Sequence, residues 1–178
     1  PEPGRTRRPT GAASWLWIGS GAVGGLAAAA ASLILVAGPM LATRDLVAEL
    51  TASHVRSLQA AHLTDVATSD QHVVKPWFNG RLDYSPPVND LKDRGFPLVG
   101  GRLDVIAGRS VAALVYRRGR HLINLFVWPG DDAGPASADT ANGYHLRHWR
   151  AGGMNFWAVS DVNPADLDLF ELDLKRTG

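Results

Sequence analysis

Few side chains in this sequence are equipped for chemistry. It contains no cysteine, so a thiol nucleophile, a disulfide and a thiolate metal site are all excluded. The six histidines are His54, His62, His72, His121, His145 and His148. Imidazole serves as metal ligand or general base, but a zinc site calls for pairs at helical spacing or an HExxH-type motif. The sequence has neither. His145 and His148 fall three apart in a segment that reads as a strand, so they point to opposite faces. His62 and Asp65 share a helical face, a spacing that suits a local polar contact. Asp83, Asp90, Asp93 and Asp104 are dispersed and need only be solvated. There is no GxSxG elbow and no phosphate loop. Gly100-Gly101 lacks the helix that should follow a phosphate cradle and reads as a turn or bulge. The expectation is a protein that is not an enzyme and holds no cofactor and no metal.

Recognition is the alternative to catalysis. Trp77 and Phe78 stand in a proline-broken stretch, as anchors whose exposed parts offer a contact surface. Arg117, Arg118 and Arg120 form a basic hairpin tip that could meet anionic lipid or a partner protein. A net charge of +1 gives no global field for nucleic acid, which is not expected as a partner.

What must position these groups begins with a membrane segment. No charged side chain occurs between Arg8 and Arg44, and Trp15 to Ala37 reads WLWIGSGAVGGLAAAAASLILVA. A bilayer core needs about 20 apolar residues in a helix. Trp15 and Trp17 sit at one end, where indoles favour headgroups. A secretory signal has a shorter apolar stretch, although Val36-Ala37-Gly38 imitates a cleavage site. A core helix would need cover on every side. The membrane reading is favoured. Arg5, Arg7 and Arg8 before the span place the N-terminus in the cytoplasm and the rest outside. Gly21, Gly25 and Ala29 form a small-residue face on which two helices, and hence a homodimer, could pack. The expected organisation is a cytoplasmic basic tail over 1–11, a transmembrane region over 12–41, a juxtamembrane amphipathic helix over 42–66 and an outer domain over 67–178. The chain opens on Pro1 and is expected to continue a longer protein.

The outer region reads as α+β. Leu46, Val47, Leu50, His54, Leu58 and Ala61 recur at three- and four-residue spacing, predicting a helix over about Met40 to Thr64 that packs on a sheet. Prolines break up Val66 to Pro97. Strands are predicted at Leu103–Ile106, Val111–Arg117, His121–Trp128, Tyr144–Arg150 and Met154–Ser160, joined mostly by short glycine-containing turns. Both faces of Val111–Arg117 are apolar, as in a central strand covered on both sides. Pro129 to Gly143 is small and polar and reads as a surface loop. Asn163 and Pro164 open a last helix, with Leu167, Phe170 and Leu174 as its buried stripe. The sum is an antiparallel sheet of about five strands with helices before and after it.

Several blocks, in this order, resemble the outer domain of bacterial transmembrane anti-sigma factors. They are ASHVRSL (Ala52 to Leu58), HLTDV (His62 to Val66) and VKPWFNGRLDYSPPV (Val74 to Val88). The longer blocks follow: GFPLVGGRLDVIAGRSVAALVYRRGRHLINLFVWP (Gly95 to Pro129) and GYHLRHWRAGGMNFWAVSDV (Gly143 to Val162). The resemblance implies a single-pass inner-membrane regulator that holds an extracytoplasmic-function sigma factor inactive. It implies a periplasmic domain open to a partner protein or protease. Family members carry a cytoplasmic sigma-binding domain before the membrane helix. This chain has only the short basic tail there, so the sigma factor would bind through a part not present in it. The other reading is a membrane-tethered periplasmic binding or assembly protein with no transcriptional role.

Overall fold

A computed structural model describes residues 42–59, 63–130 and 137–177. The apolar segment 12–41, with Gly21, Gly25 and Ala29, lies outside the described residues, as does His62. Among the described residues no helix is long and apolar enough to cross a membrane. The fold described below is carried by the unit 43–178.

Its centre is a six-stranded antiparallel sheet, with β1 Leu98–Ile106, β2 Arg109–Arg118, β3 His121–Pro129, β4 Ser137–Ala141, β5 Tyr144–Ala151 and β6 Met154–Ser160. The spatial order is β1-β2-β3-β6-β5-β4. Helix α1 (residues 42–57) precedes the sheet, followed by the short α2 (Gln71–Trp77) and a 3-10 turn (Lys92–Arg94). Helix α3 (Pro164–Thr177) ends the chain.

The alternation of β2 explains the layering. Ala112, Leu114 and Tyr116 join Ile123, Leu125 and Val127 of β3 in a core with Leu167, Phe170 and Leu174 of α3. Val111 and Ala113 face the other way, joining Phe126, Trp128, Leu146, Trp157, Val159 and Leu50 of α1. The sheet is thus covered on both faces, as the two apolar faces of that strand require. Helix α3 starts where its cap predicts: Asn163 Oδ1 accepts from the Asp166 amide at 2.9 Å, with Pro164 as the first helical residue. Phe170 meets Phe96 and Tyr116 edge-on, at 5.3 and 5.0 Å between ring centroids.

Three expectations are corrected. The sheet has six strands rather than five, because Ser137–Ala141, read as loop, pairs along β5. Residues Asn142 and Gly143 take positive φ (52° and 82°) and form the two-residue turn that makes this pairing local. Strand β1 starts at Leu98 rather than Leu103. A register shift between Leu98 and Gly100 makes that stretch a bulge, one of the two readings given to Gly100-Gly101. Helix α1 stops at Ser57 rather than near Thr64, and Leu58 is exposed instead of completing the apolar stripe. The proline-broken stretch does hold a short element: Pro76 sits in the last turn of the seven-residue α2, which ends one residue later.

Candidate functional site

Helical spacing turns Leu50, Ser53, His54 and Ser57 of α1 toward the sheet, and all four are buried. Leu50 is apolar and needs no partner, but the three polar groups must find theirs. Ser57 donates to the His54 carbonyl at 2.7 Å and accepts from Asn124 Nδ2 of β3 at 2.8 Å. Ser53 donates to the Asp104 carboxylate of β1. Asp104 Oδ2 also accepts from Arg102 at 3.0 and 3.3 Å. The Arg102 guanidinium reaches the Leu63 carbonyl at 3.3 Å and lies 5.7 Å from the Phe126 ring centroid. Burial pushes the Arg102 pKa down, and the Asp104 charge and hydrogen bonds oppose that shift. Ser53, Arg56, Ser57, Arg102 and Asp104 line a cleft of about 310 Å3 between α1 and β1.

His54 is the exception. It is fully buried, and neither ring nitrogen has a hydrogen-bond partner among the described residues. Its ring stands edge-on to Tyr144 of β5, with centroids 5.1 Å apart. Burial first, and then the positive charge of Arg102, lower its pKa from 6.5 to about 4, while the Asp161 charge acts the other way. The site therefore has a hydroxyl on a carboxylate (Ser53 on Asp104), with no imidazole bonded between them. A catalytic triad needs that relay. These groups close on one another and hold α1 to the sheet.

The same seam seals the open side of β1. The Gly101 amide donates to the Val66 carbonyl at 3.0 Å. Leu103 donates to Asp65 at 3.0 Å, Val105 to Asp104 at 2.9 Å and Ala107 to Glu49 at 3.0 Å. Alternate amides of an edge strand face outward and invite pairing with another chain. Here a backbone carbonyl and three carboxylates occupy them.

The residues singled out as a recognition surface separate into two kinds. Phe78 is fully buried, with its ring against Gly101, and presents nothing to a partner. Trp77 is half-buried, edge-on to Phe78 at 5.1 Å, and covered by Arg81 at 4.6 Å. Arg118 is turned back from the β2–β3 tip to Asp166 of α3 at 2.6 Å and to the Phe96 ring at 4.6 Å. Arg117 and Arg120 remain exposed. The candidate surface is reduced to part of Trp77 and the two outer arginines. Sequence reasoning passed over Ser53, Ser57, Arg102 and Asn124. The available signal was Asn124, a lone amide inside the apolar run of β3.

Among the described residues, no group of three or more histidine, aspartate or glutamate side chains is placed to hold a metal ion. His145 and His148 do fall on opposite faces, His148 being buried and stacked on Trp157 at 4.4 Å. No protein-family model, no curated protein and no solved structure matches this chain.

Proposed function

We propose that this chain is the membrane-anchoring and extracytoplasmic part of a single-pass anti-sigma regulator. In this reading segment 12–41 spans the inner membrane, the arginine-flanked end is cytoplasmic and the sheet domain is periplasmic. The sigma factor is held by a domain N-terminal to this chain. The sheet domain receives the signal, from a periplasmic protein or protease, and passes it along α1.

The observation that carries the reading is how α1 is seated. This helix follows directly on the charge-free run, and it enters the buried face of the sheet through Leu50 and His54, both fully enclosed. A change on that face therefore acts on the chain where it leaves the apolar segment. The charge-free run and the ordered block resemblance supply the rest of the support. Arg117 and Arg120, with the exposed part of Trp77, are the proposed contacts for a periplasmic partner or anionic headgroups.

The test is affinity capture of the complete protein from detergent-solubilised membranes. Recovery of a sigma factor, lost when the region before this chain is deleted, supports the regulator. Capture of periplasmic or envelope proteins without a sigma factor would make the chain a tethered binding or assembly protein. Carbonate washing and protease accessibility from each side check the topology. A carboxyl half digested only from the cytoplasmic side would overturn it.

A further inference from the structure

We propose that α1 is an acid-released latch, docked on the sheet while His54 is uncharged and freed when that imidazole gains a proton.

Helices α1 and α3 are attached to the sheet by different chemistry. Helix α3 buries Leu167, Phe170 and Leu174 and is held by Arg118–Asp166 and Arg147–Asp168. Helix α1 contributes one fully buried apolar side chain, Leu50, with Leu46 and Val47 partly covered. The rest of its contact is polar: Ser53 on Asp104, Ser57 on Asn124, Glu49 on the Ala107 amide, and the unbonded His54. A neutral imidazole packs there as a flat, weakly polar ring against Tyr144. A charged one brings two N–H donors into a site where, among the described residues, neither nitrogen has an acceptor.

The charged groups that act on His54 do not remedy this. Arg102, from β1, repels the imidazolium and is itself held by Asp104. Asp161, following β6, attracts it but is engaged by His121 at 3.0 Å. Tyr144, from β5, offers a ring edge. Undocking moves His54 into water, where its ordinary affinity for a proton returns.

The sign follows from linkage. Burial holds His54 at about 4 rather than 6.5, so the docked state loses stability as the pH falls through that interval. Relative to pH 8, the undocking constant rises by about 30-fold at pH 5, before most carboxylates take protons. The inference concerns this domain's own fold and holds whatever partner the chain serves.

Hydrogen exchange of the full chain in detergent micelles, corrected for intrinsic rates, tests it at pH 8 and pH 5. The expected result is a loss of protection of about 30-fold confined to α1, with α3 unchanged. His54→Leu and His54→Gln should keep α1 protected at both pH values. Equal loss in α1 and α3, or an unchanged acid response in a folded variant, overturns the proposal. Should neither variant fold, the imidazole carbon shift of His54 in the unaltered chain decides. Titration in step with α1 exchange supports the latch, and titration with α1 still protected refutes it.

Discussion

Arg118 holds the Asp166 carboxylate at 2.6 Å, tying the last residue of β2 to the first turn of α3. The hydrogen bonds from Arg118 keep the Asp166 carboxyl below its usual range, aided by Asn163. A depressed carboxylate stabilises the fold above its ordinary pKa, and that contribution fades as the pH falls through the acidic range. Asp166→Asn is expected to cost about 1 kcal/mol at neutral pH, and less below pH ~4. Arg118→Ala should cost more, because the guanidinium also covers the Phe96 ring. A double-mutant cycle by urea unfolding measures the pair.

Gly101 has no room for a methyl group. A Cβ there would lie 2.9 Å from Phe78 Cζ and 3.2 Å from Val74 Cγ1. Gly101→Ala is expected to destabilise by about 1–3 kcal/mol, and Phe78→Leu in the same chain should recover part of it. At Gly100 the obstacle is the Val66 carbonyl, 2.1 Å from the added Cβ, so Gly100→Ala should cost more and have no such rescue. Thermal unfolding of the three variants checks the order.

Tyr84 bridges two strands: its hydroxyl accepts from the Ala112 amide at 2.9 Å and donates to the Val127 carbonyl at 2.6 Å. Tyr84→Phe strands the Ala112 amide, at an expected cost of about 1–3 kcal/mol. Burial raises the Tyr84 pKa from 10 to about 12. A phenol raised in the folded state stabilises below its ordinary pKa, and that stability is lost as the pH climbs from 10 toward 12. Urea midpoints followed with phenolate absorbance should fall less steeply over that interval in the phenylalanine variant.

The carboxylates along β1 are expected to prevent pairing. Glu49→Ala with Asp65→Ala frees the Ala107 and Leu103 amides. Those two amides should exchange faster, and light scattering should show association that grows with concentration. Unchanged exchange at both positions would mean that other groups close this edge.

Where side chains alternate strongly, the fold was legible. The two apolar faces of β2, the turn at Gly152-Gly153 and the Asn163 cap each carry a local signal that the packing reinforces. Strand β4 failed that test. Its Ser-Ala-Asp-Thr-Ala sequence has no apolar alternation and a single branched residue, Thr140, and its strand state comes from pairing along β5. Even so, Asn142-Gly143 is the dipeptide that marks such a hairpin. Helix α1 was overextended because periodicity alone set its end, and no capping residue marks Ser57 as the last turn.

The site was harder to read. Its members come from α1, β1 and β3, and the Ser57–Asn124 contact joins residues far apart in sequence. Charge and aromaticity drew attention to Phe78 and Arg118. Tertiary packing took the first into the core and the second to α3, a difference that sequence spacing does not encode.

The strand order divides the sheet into two halves, each a run of three sequential strands, and β3 meets β6 where they adjoin. Within each half the pairing is between chain neighbours, so each can form early from local contacts. Only the central seam requires distant parts of the chain to meet. A single break in the connection between β3 and β4 would therefore sever no strand, leaving two fragments with matching edges and the means to find one another again.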